Sequence, residues 1–170
     1  VYTGYPFEDQ GEVSLSGPDI PLSEGELAQI QAVGRRTLRL CAHETFIDCP
    51  YYEESQFPGD TRIEALVSYA SFGDPRLGRN AIEQFSWSIN SEGFLSARYP
   101  TNSTYYIPNY SLAWIGMLHD YLHWIGEPGY IASKLPVMRQ VLAYFEALER
   151  PDGSFRWPDY HNFVDWALPR

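Results

Sequence analysis

Long and short connections alternate between the helix-spaced apolar segments of this chain, and that alternation limits the folds open to it. Five such segments occur in the 170 residues. Tight turns at 72–75 and 126–129 follow the second and fourth segments, whereas the other connections are long and rich in aromatic residues. Because antiparallel neighbours reverse direction at each connection, the long loops must emerge at one end of a helical bundle. We expect that end to be the functional face.

Capping and turn residues predict where the helices begin and end. Ser23 and Glu26 form a capping box that starts the first helix, which should end near His43. The same kinds of signal predict further helices from about 59–61 to 72, from 75 to about 89, from 108 to 125, and from 130 to 149 with a break or kink at Pro136. The positions predicted to face the core are Leu27, Ile30, Val33, Leu38, Cys41, Ile63, Leu66, Val67, Ala70, Leu77, Ile82, Phe85, Ile89, Leu112, Ile115, Leu118, Leu122, Ile125, Val137, Val141, Leu142, Phe145 and Leu148.

Residues 1–22 differ from the rest of the chain. They are rich in glycine and aromatic residues, and the alternation at 12–16 suits a strand or an extended linker. A loose tail explains the same composition equally well. The predicted organisation is therefore an extended or β segment over 1–22 followed by an all-α domain over 23–170.

The loop over 48–62 concentrates most of the chemistry. It contains four carboxylates, one arginine and three aromatic rings, and Pro50 and Pro58 prevent it from being helical throughout. Carboxylates accept hydrogen bonds from sugar hydroxyls, and aromatic rings stack on the apolar faces of sugars. A carbohydrate site is one interpretation; a cluster of solvated acids and helix caps is the other.

The second and third long loops repeat a common pattern. Glu92-Gly93-Phe94 precedes an Arg-Tyr-Pro sequence in one, and Asp152-Gly153-Ser154-Phe155 precedes Arg-Trp-Pro in the other. Stacked helical hairpins that share one loop design leave such an echo, although two copies also arise by chance. Three hairpins of this kind make about half of a six-hairpin ring.

Composition excludes several classes of partner. A net charge of −10 disfavours nucleic acids and anionic membranes, which attract clustered lysine and arginine. No apolar run approaches the roughly 20 residues of a membrane span. Cys41 and Cys49 are predicted to be small buried residues, and the spacing of His119 and His123 lacks the further ligands that zinc requires. No metal or cofactor is expected, and the compartment is left open.

The loop residues also carry a family resemblance. The run Glu44-Thr45-Phe46-Ile47-Asp48-Cys49-Pro50-Tyr51-Tyr52-Glu53, followed by Gly59-Asp60-Thr61-Arg62, resembles the catalytic-loop signature of bacterial α-L-rhamnosidases. The similarity continues at 35–38 and 162–166. These enzymes are glycoside hydrolases built on an (α/α)6 toroid, so the resemblance implies that this chain forms roughly the first half of such a toroid.

The resemblance implies roles for individual residues. Glu53 matches the general acid that protonates the leaving oxygen, and its aromatic neighbours Tyr51, Tyr52 and Phe57 should keep it protonated. Arg62 is expected to pair with one of the nearby acids. The predicted substrate-binding residues are Asp48, Asp60, Tyr52, Phe57, Trp114, Asp165 and Trp166. Asp60 is also a candidate helix N-cap, and Trp114 a candidate core residue. No residue matches the family's catalytic base, so the base is expected in the remainder of the catalytic domain, beyond Arg170.

The resulting functional hypothesis is inverting hydrolysis of terminal α-L-rhamnosides from glycosides or polysaccharides. Two rivals stay open: a toroid glycosidase or lyase that acts on another sugar, and a carbohydrate-binding piece that holds sugar without cleaving it. The first rival predicts a different sugar in the Asp48 site. The second predicts that Glu53→Gln leaves function intact.

Overall fold

A computed structural model describes residues 4–8 and 22–164, and its regular secondary structure is helical. In chain order the helices are α1 (Glu24–Leu40), α2 (Pro58–Phe72), α3 (Arg76–Trp87), α4 (Tyr110–Ile125) and α5 (Pro128–Glu146). Within the described ranges the β-structure is limited to two isolated bridges, Ala42 with Phe46 and Glu149 with Phe155. The prediction of an all-α fold is confirmed.

The predicted helix starts are largely confirmed. Ser23 caps α1 in a capping box, since its Oγ accepts the Glu26 backbone N–H at 3.3 Å while its own N–H donates to Glu26 Oε2 at 2.8 Å. α4 begins two residues after Pro108, and α5 begins at Pro128 and contains Pro136. Left-handed glycines end α2 and α4, at Gly73 (φ 62°) and Gly126 (φ 80°).

The central pair of helices is α2 and α4. Gly59 approaches Tyr110, Arg62 approaches Gly116 and Tyr69 approaches Tyr121, so the contacts advance in the same direction along both helices. α2 and α4 therefore run parallel. α1 and α3 contact α2, and α3 and α5 contact α4, so the chain winds as successive helical hairpins.

The core lies among α2, α3 and α4. It is dominated by aromatic and branched residues that are almost wholly buried. Its largest members are Trp114, Tyr121, Phe46, Phe72, Phe85, Phe94, Ile82 and Leu95. Phe46 and Phe94 come from the long loops, so packing of the interior also fixes the start of the first loop and the middle of the second.

Several residues predicted to face the core are exposed instead. On α1 only Leu38 is buried, while Ile30 and Val33 are 58% and 65% exposed. The reason is that α1 packs mainly against α2 among the described helices, and this contact is less extensive than those between the other neighbouring helices. Other predicted core positions that are exposed are Ile63, Leu112, Leu122 and Leu142.

On α2 the buried face differs from the predicted one. It consists of Thr61, Ala65, Ser68, Tyr69 and Phe72, offset from the predicted face that includes Ile63. Small residues on this face let the neighbouring helices approach closely. An apolarity pattern underweights such alanine, serine and threonine positions, which explains the error.

The N-terminal segment is attached to the helices over residues 4–8. Phe7 is buried and its ring stacks on Phe72 with centroids 4.5 Å apart, and the Tyr5 N–H donates to the Ala42 carbonyl at 3.0 Å. At these positions the segment packs against the helical part of the chain, and the predicted division of the chain at residue 22 stays a prediction. The alternation at 12–16 lies outside the described residues.

The echo between the second and third long loops is structural. In each loop, the carbonyl of one residue accepts the N–H of the glycine three positions later. The N–H of the same residue donates to the carbonyl of the residue that follows the glycine. These residues are Asn90 with Gly93 and Phe94, and Arg150 with Gly153 and Ser154. Both glycines have positive φ, 99° at Gly93 and 79° at Gly153, a conformation that favours glycine.

None of the helices in the described part of the chain is long and apolar enough to cross a bilayer.

Candidate active site

All three long loops meet in one cleft of about 1010 Å³. The first loop and the start of α2, the second loop and the start of α4, and the third loop each contribute to its walls. The lining residues are Asp48, Cys49, Tyr52, Glu53, Phe57, Asp60, Arg98, Tyr105, Ile107, Tyr110, His161 and Phe163. The prediction that the long loops share one end of the bundle is confirmed.

Hydrogen bonds give the first loop a defined shape. The Asp48 N–H donates to the Ser55 carbonyl at 3.0 Å, and the Ser55 N–H donates to Asp48 Oδ1 at 2.9 Å. Between them, the Glu53 N–H donates to Cys49 Sγ at 3.3 Å and Ser55 Oγ donates to the Glu53 carbonyl at 3.0 Å. Glu54, between Glu53 and Ser55, has a left-handed backbone conformation with φ 49°. The hydrogen bonds between Asp48 and Ser55 therefore close the backbone around Glu53 into a defined loop.

Gln56 joins the first loop to the second. Its side chain is 3% exposed, and its Nε2 donates to the Tyr99 carbonyl and to Gln84 Oε1, both at 2.7 Å. The Tyr99 N–H returns a bond to the Gln56 carbonyl at 3.1 Å. Buried hydrogen bonds of a side-chain amide are costly to break, so the two loops are held as one unit.

The carboxylates at the start of α2 influence one another. Burial raises the pKa of Asp60, and the negative charge of Asp48 raises it further. A hydrogen bond from the Asp60 backbone N–H to the Asp60 carboxylate lowers this pKa, but by less than the other two effects raise it. One turn on, burial together with the charges of Asp60 and Asp48 raises the pKa of Glu64 to about 9. Glu64 Oε2 is buried and has no hydrogen-bond partner among the described residues. A neutral acid therefore lies beneath the two that line the cleft.

Glu53 has a different environment. Its side chain is exposed, and the neighbouring Tyr51 and Tyr52 are 78% and 86% exposed. The two tyrosine rings pack edge to face against each other with centroids 5.1 Å apart. The expectation that aromatic neighbours bury Glu53 is therefore not met by the described residues.

A row of aromatic rings crosses the cleft. Tyr110 lies 6.3 Å from Phe57 and 6.0 Å from Phe163, measured between ring centroids. Phe163 lies 5.9 Å from His161, which lies 5.8 Å from Tyr105. Each neighbouring pair meets edge to face, so the row lines the cleft with successive rings. The Asn109 amide fixes the third loop to it by donating to the Phe163 carbonyl at 2.7 Å.

The comparison with protein families identifies the fold. Residues 20–170 match the family model for the bacterial alpha-L-rhamnosidase 6 hairpin glycosidase domain. The chain belongs to this family. Its helices form part of a six-hairpin (α/α)6 toroid, a glycoside hydrolase fold, as the sequence predicts.

Two solved structures of rhamnosidases support the assignment. A GH78 family rhamnosidase of Bacillus sp. GL1 is 27% identical, with a TM-score of 0.84 over 96% of this chain. A Klebsiella oxytoca rhamnosidase solved with rhamnose bound is 26% identical, with a TM-score of 0.77 over 89% of this chain. The present chain spans 16% and 31% of the lengths of these two proteins. The comparison with curated protein sequences gives no match.

Five of the predicted site residues of this rhamnosidase-family chain line the cleft: Asp48, Tyr52, Glu53, Phe57 and Asp60. Asp60 lies in the first turn of α2 and is not its N-cap, because the helix already begins at Pro58 and the cap position is held by Phe57. Asp165 and Trp166 lie outside the described residues.

Two predicted roles are wrong. Trp114 does not form a sugar wall: it is fully buried, and its Nε1 donates to the Ile82 carbonyl at 3.1 Å. Trp114 and Tyr110 lie on the same side of α4, one turn apart; Trp114 packs in the core, whereas Tyr110, at the start of the helix, lines the cleft. Arg62 does not pair with Asp48 or Asp60; its Nε donates to Asp120 Oδ2 on α4 at 2.7 Å.

No specific sequence signal marks six of the lining residues: Arg98, Tyr105, Ile107, Tyr110, His161 and Phe163. They lie in the second and third long loops and at the start of α4, the end of the bundle where the sequence places the functional face. The shared location was therefore a usable signal, but the choice among many aromatic residues in these loops needed the structure.

The two cysteines differ in burial. Cys41 is buried, Cys49 is half-buried and lines the cleft, and both are free thiols. Burial raises the pKa of Cys41 to about 11, which makes its thiol a poor nucleophile. In the described ranges no group of three or more His, Cys, Asp or Glu side chains is arranged to hold a metal ion.

Proposed function

We propose that this chain supplies the general acid and part of the sugar pocket of an inverting α-L-rhamnosidase. The observation that carries the proposal is the meeting of Asp48, Glu53 and Asp60 with a row of aromatic rings in one cleft. Carboxylates that accept hydroxyl bonds beside rings that pack on apolar sugar faces suit a methyl-bearing sugar. Family membership supports the same substrate class.

Glu53 is the proposed acid. It donates its proton to the glycosidic oxygen as the bond between that oxygen and the anomeric carbon breaks, while water attacks from the opposite face of the sugar. The proton of that water passes to a second carboxylate, roughly 6.5–9.5 Å from the acid in inverting enzymes. We infer that this base comes from the remainder of the catalytic domain.

Asp48 and Asp60 are proposed to hold the rhamnose hydroxyls. Their negative charge would also favour the positive charge that develops on the sugar ring in the transition state. Because Glu53 is exposed among the described residues, the bound sugar and the remainder of the domain would exclude water from it. This requirement explains why the proposal concerns a larger polypeptide and predicts little hydrolysis by residues 1–170 alone.

The experiment is hydrolysis of an aryl α-L-rhamnoside by the longest polypeptide that carries this chain. Glu53→Gln should lower kcat/KM by several orders of magnitude, since it removes the transferable proton but keeps the side-chain shape. The matched control is Glu54→Gln. Glu54 is the adjacent exposed acid and does not line the cleft, so this variant should behave like the parent.

Equal losses in both variants would contradict the acid assignment. A parent that binds L-rhamnose without cleaving any rhamnoside, and whose binding survives Glu53→Gln, would favour the non-catalytic carbohydrate-binding hypothesis. Cleavage of another glycoside in place of rhamnosides would leave the fold intact and replace the substrate.

A further inference from the structure

Two neighbouring side chains hold the backbone of Glu53, the proposed acid. The Glu53 N–H donates to Cys49 Sγ at 3.3 Å, and the Glu53 carbonyl accepts the Ser55 hydroxyl at 3.0 Å. Neither bond belongs to a helix, because residues 49–55 lie between α1 and α2. The peptide groups on both sides of the Glu53 Cα are therefore fixed by the thiol and the hydroxyl, which we call the acid clamp.

The acid clamp is anchored at both ends. Ser55 exchanges two hydrogen bonds with Asp48, at 3.0 Å through the Ser55 carbonyl and at 2.9 Å through the Ser55 N–H. Cys49 follows Asp48 directly along the chain. Gln56, which follows Ser55, is buried and donates to the Tyr99 carbonyl in the second long loop at 2.7 Å. Both side chains of the clamp therefore extend from backbone that is itself held in place.

The Glu53 carboxylate is not held directly by the described residues. It has no hydrogen-bond or ion-pair partner among them, and the side chain is exposed. The adjacent Tyr51 and Tyr52 are exposed as well. The direction in which the carboxylate points therefore depends on the backbone conformation of Glu53, and the acid clamp is the feature that sets this conformation.

The position of a general acid strongly affects the rate of hydrolysis. A general acid contributes about 10²–10⁴-fold to the rate, and it must lie within about 2.6–3.2 Å of the atom that it protonates. A displacement of about 1 Å can lower the rate about 100-fold. Side chains that hold the backbone of the acid can therefore control the rate without touching the substrate.

We propose that Cys49 and Ser55 are positioning residues, which direct the Glu53 carboxyl group toward the glycosidic oxygen by holding the Glu53 backbone. The proposal rests on the proposed function, because it requires Glu53 to be the acid. Cys49 lines the cleft, and the proposal makes its thiol a hydrogen-bond acceptor for the loop and not a nucleophile.

The test compares two α-L-rhamnosides that differ in their need for an acid. Phenolate is a poor leaving group unless its oxygen is protonated, whereas 2,4-dinitrophenolate leaves without a proton. The measurement is the ratio of kcat/KM for the phenyl rhamnoside to kcat/KM for the dinitrophenyl rhamnoside, with the longest polypeptide that carries this chain. Cys49→Ala and Ser55→Ala should each lower the ratio about tenfold, and Glu53→Gln should lower it further. Damage to the fold or to the sugar pocket would lower both values and leave the ratio unchanged.

Conservative variants and a distant serine are the controls. Cys49→Ser keeps an acceptor near the Glu53 N–H and Ser55→Thr keeps the hydroxyl donor, so their ratios should lie closer to the parent's than those of the alanine variants. Ser133 Oγ also donates to a backbone carbonyl, that of Tyr130 at 2.6 Å, but Ser133 lies on α5 and does not line the cleft. Ser133→Ala should therefore keep the ratio of the parent.

A double variant connects the acid clamp to Glu53. In a Glu53→Gln background there is no transferable proton to direct, so Cys49→Ala should lower the ratio no further. If Glu53→Gln lowers the ratio but Cys49→Ala and Ser55→Ala do not, the acid clamp is overturned and the acid assignment stands. If the parent cleaves neither rhamnoside, or if Glu53→Gln leaves the ratio unchanged, the acid assignment fails and the acid clamp fails with it.

Discussion

Asp60 and Arg62 lie two residues apart on α2 but belong to regions of opposite character. Arg62 points to α4, where Asp120 accepts hydrogen bonds from its Nε at 2.7 Å and from its Nη2 at 3.4 Å. Asp60 lines the cleft, has no ion pair within the described ranges, and burial raises its pKa. The charge of Arg62 is thus paired inside the helical bundle, whereas that of Asp60 faces the cleft without an ion pair among the described residues.

The same contrast divides α4. Trp114 is fully buried and its indole N–H is satisfied by the Ile82 carbonyl, whereas Tyr110 lies between Phe57 and Phe163 at the cleft. One helical turn separates a residue that supports the fold from one that shapes the site. The role of an aromatic residue on α4 therefore depends on its distance from the loop end of the helix, and not on residue type alone.

Trp114→Ala should cause the largest loss of stability. Removing a fully buried indole leaves a cavity and removes the hydrogen bond to the Ile82 carbonyl, so the free energy of unfolding should fall by about 4 kcal/mol. Urea denaturation measures this difference. Trp87→Ala is the control, since Trp87 is 65% exposed and its loss should change stability by less than about 0.5 kcal/mol. Similar losses in both variants would contradict the assignment of Trp114 to the core.

Asp120→Ala should have the next largest effect. The Asp120 side chain is 11% exposed, and burial raises its pKa, but the hydrogen bonds and charges of Arg62 and His119 together lower the pKa below its ordinary value. Loss of this carboxylate leaves the half-buried Arg62 without its ion-pair partner, so the free energy of unfolding should fall by about 2–3 kcal/mol.

The control for this pair is Glu127→Ala. Glu127 pairs with Arg79 at a site where both side chains are more than 40% exposed, so its removal should cost less than about 0.5 kcal/mol. If the two variants lose the same stability in urea, the Arg62–Asp120 pair does not act as an interior clamp.

Glu64→Gln should stabilise the protein in a pH-dependent way. Glu64 has a folded-state pKa of about 9, against 4.5 for an unperturbed glutamate, so the folded state keeps a proton that the unfolded chain loses. Stability should therefore fall as the pH rises from about 4.5 toward 9, and glutamine, which mimics the protonated acid, removes that loss. The gain should be on the order of 2 kcal/mol at pH 8 and close to zero at pH 4.

Urea denaturation of the parent and of Glu64→Gln at both pH values measures this difference. Glu83→Gln is a useful control because Glu83 pairs with Lys134 on the other side of the bundle, so the variant should not show this gain at pH 8. A parent whose stability relative to Glu64→Gln is the same at both pH values would show that Glu64 is charged in the folded protein.

Local signals in the sequence were sufficient for the helices and for the end at which the loops meet. The Ser23 capping box, the glycines at 73 and 126, and the alternation of loop lengths each act over a few residues, so they are visible without the fold. Asp48, Glu53 and Asp60 were assigned to one site through the resemblance of their loop to the rhamnosidase signature, and all three line the cleft.

The parts that failed depend on contacts between distant segments. Ile30 and Val33 have the pattern of a buried face, but burial requires a neighbouring helix that the described residues do not supply. Arg62 finds its partner 58 positions away, on a different helix, although two acids lie closer in sequence. Arg98 and His161 reach the cleft only because the hairpins stack with their long loops in register. Pairings of this range are not encoded in local periodicity.

Gly116→Ala tests the interior side of the comparison most finely. A Cβ at position 116 would lie 2.5 Å from Arg62 Cζ, so the guanidinium would have to move away from Asp120. Alanine is the better helix former by about 1 kcal/mol, and displacement of the ion pair outweighs this gain, so we expect a net loss of about 1 kcal/mol in urea denaturation. In an Arg62→Ala background the obstacle is gone, and the same substitution should instead stabilise the protein by up to about 1 kcal/mol. A substitution that destabilises equally in both backgrounds would mean that Gly116 is required for some reason other than the approach of Arg62.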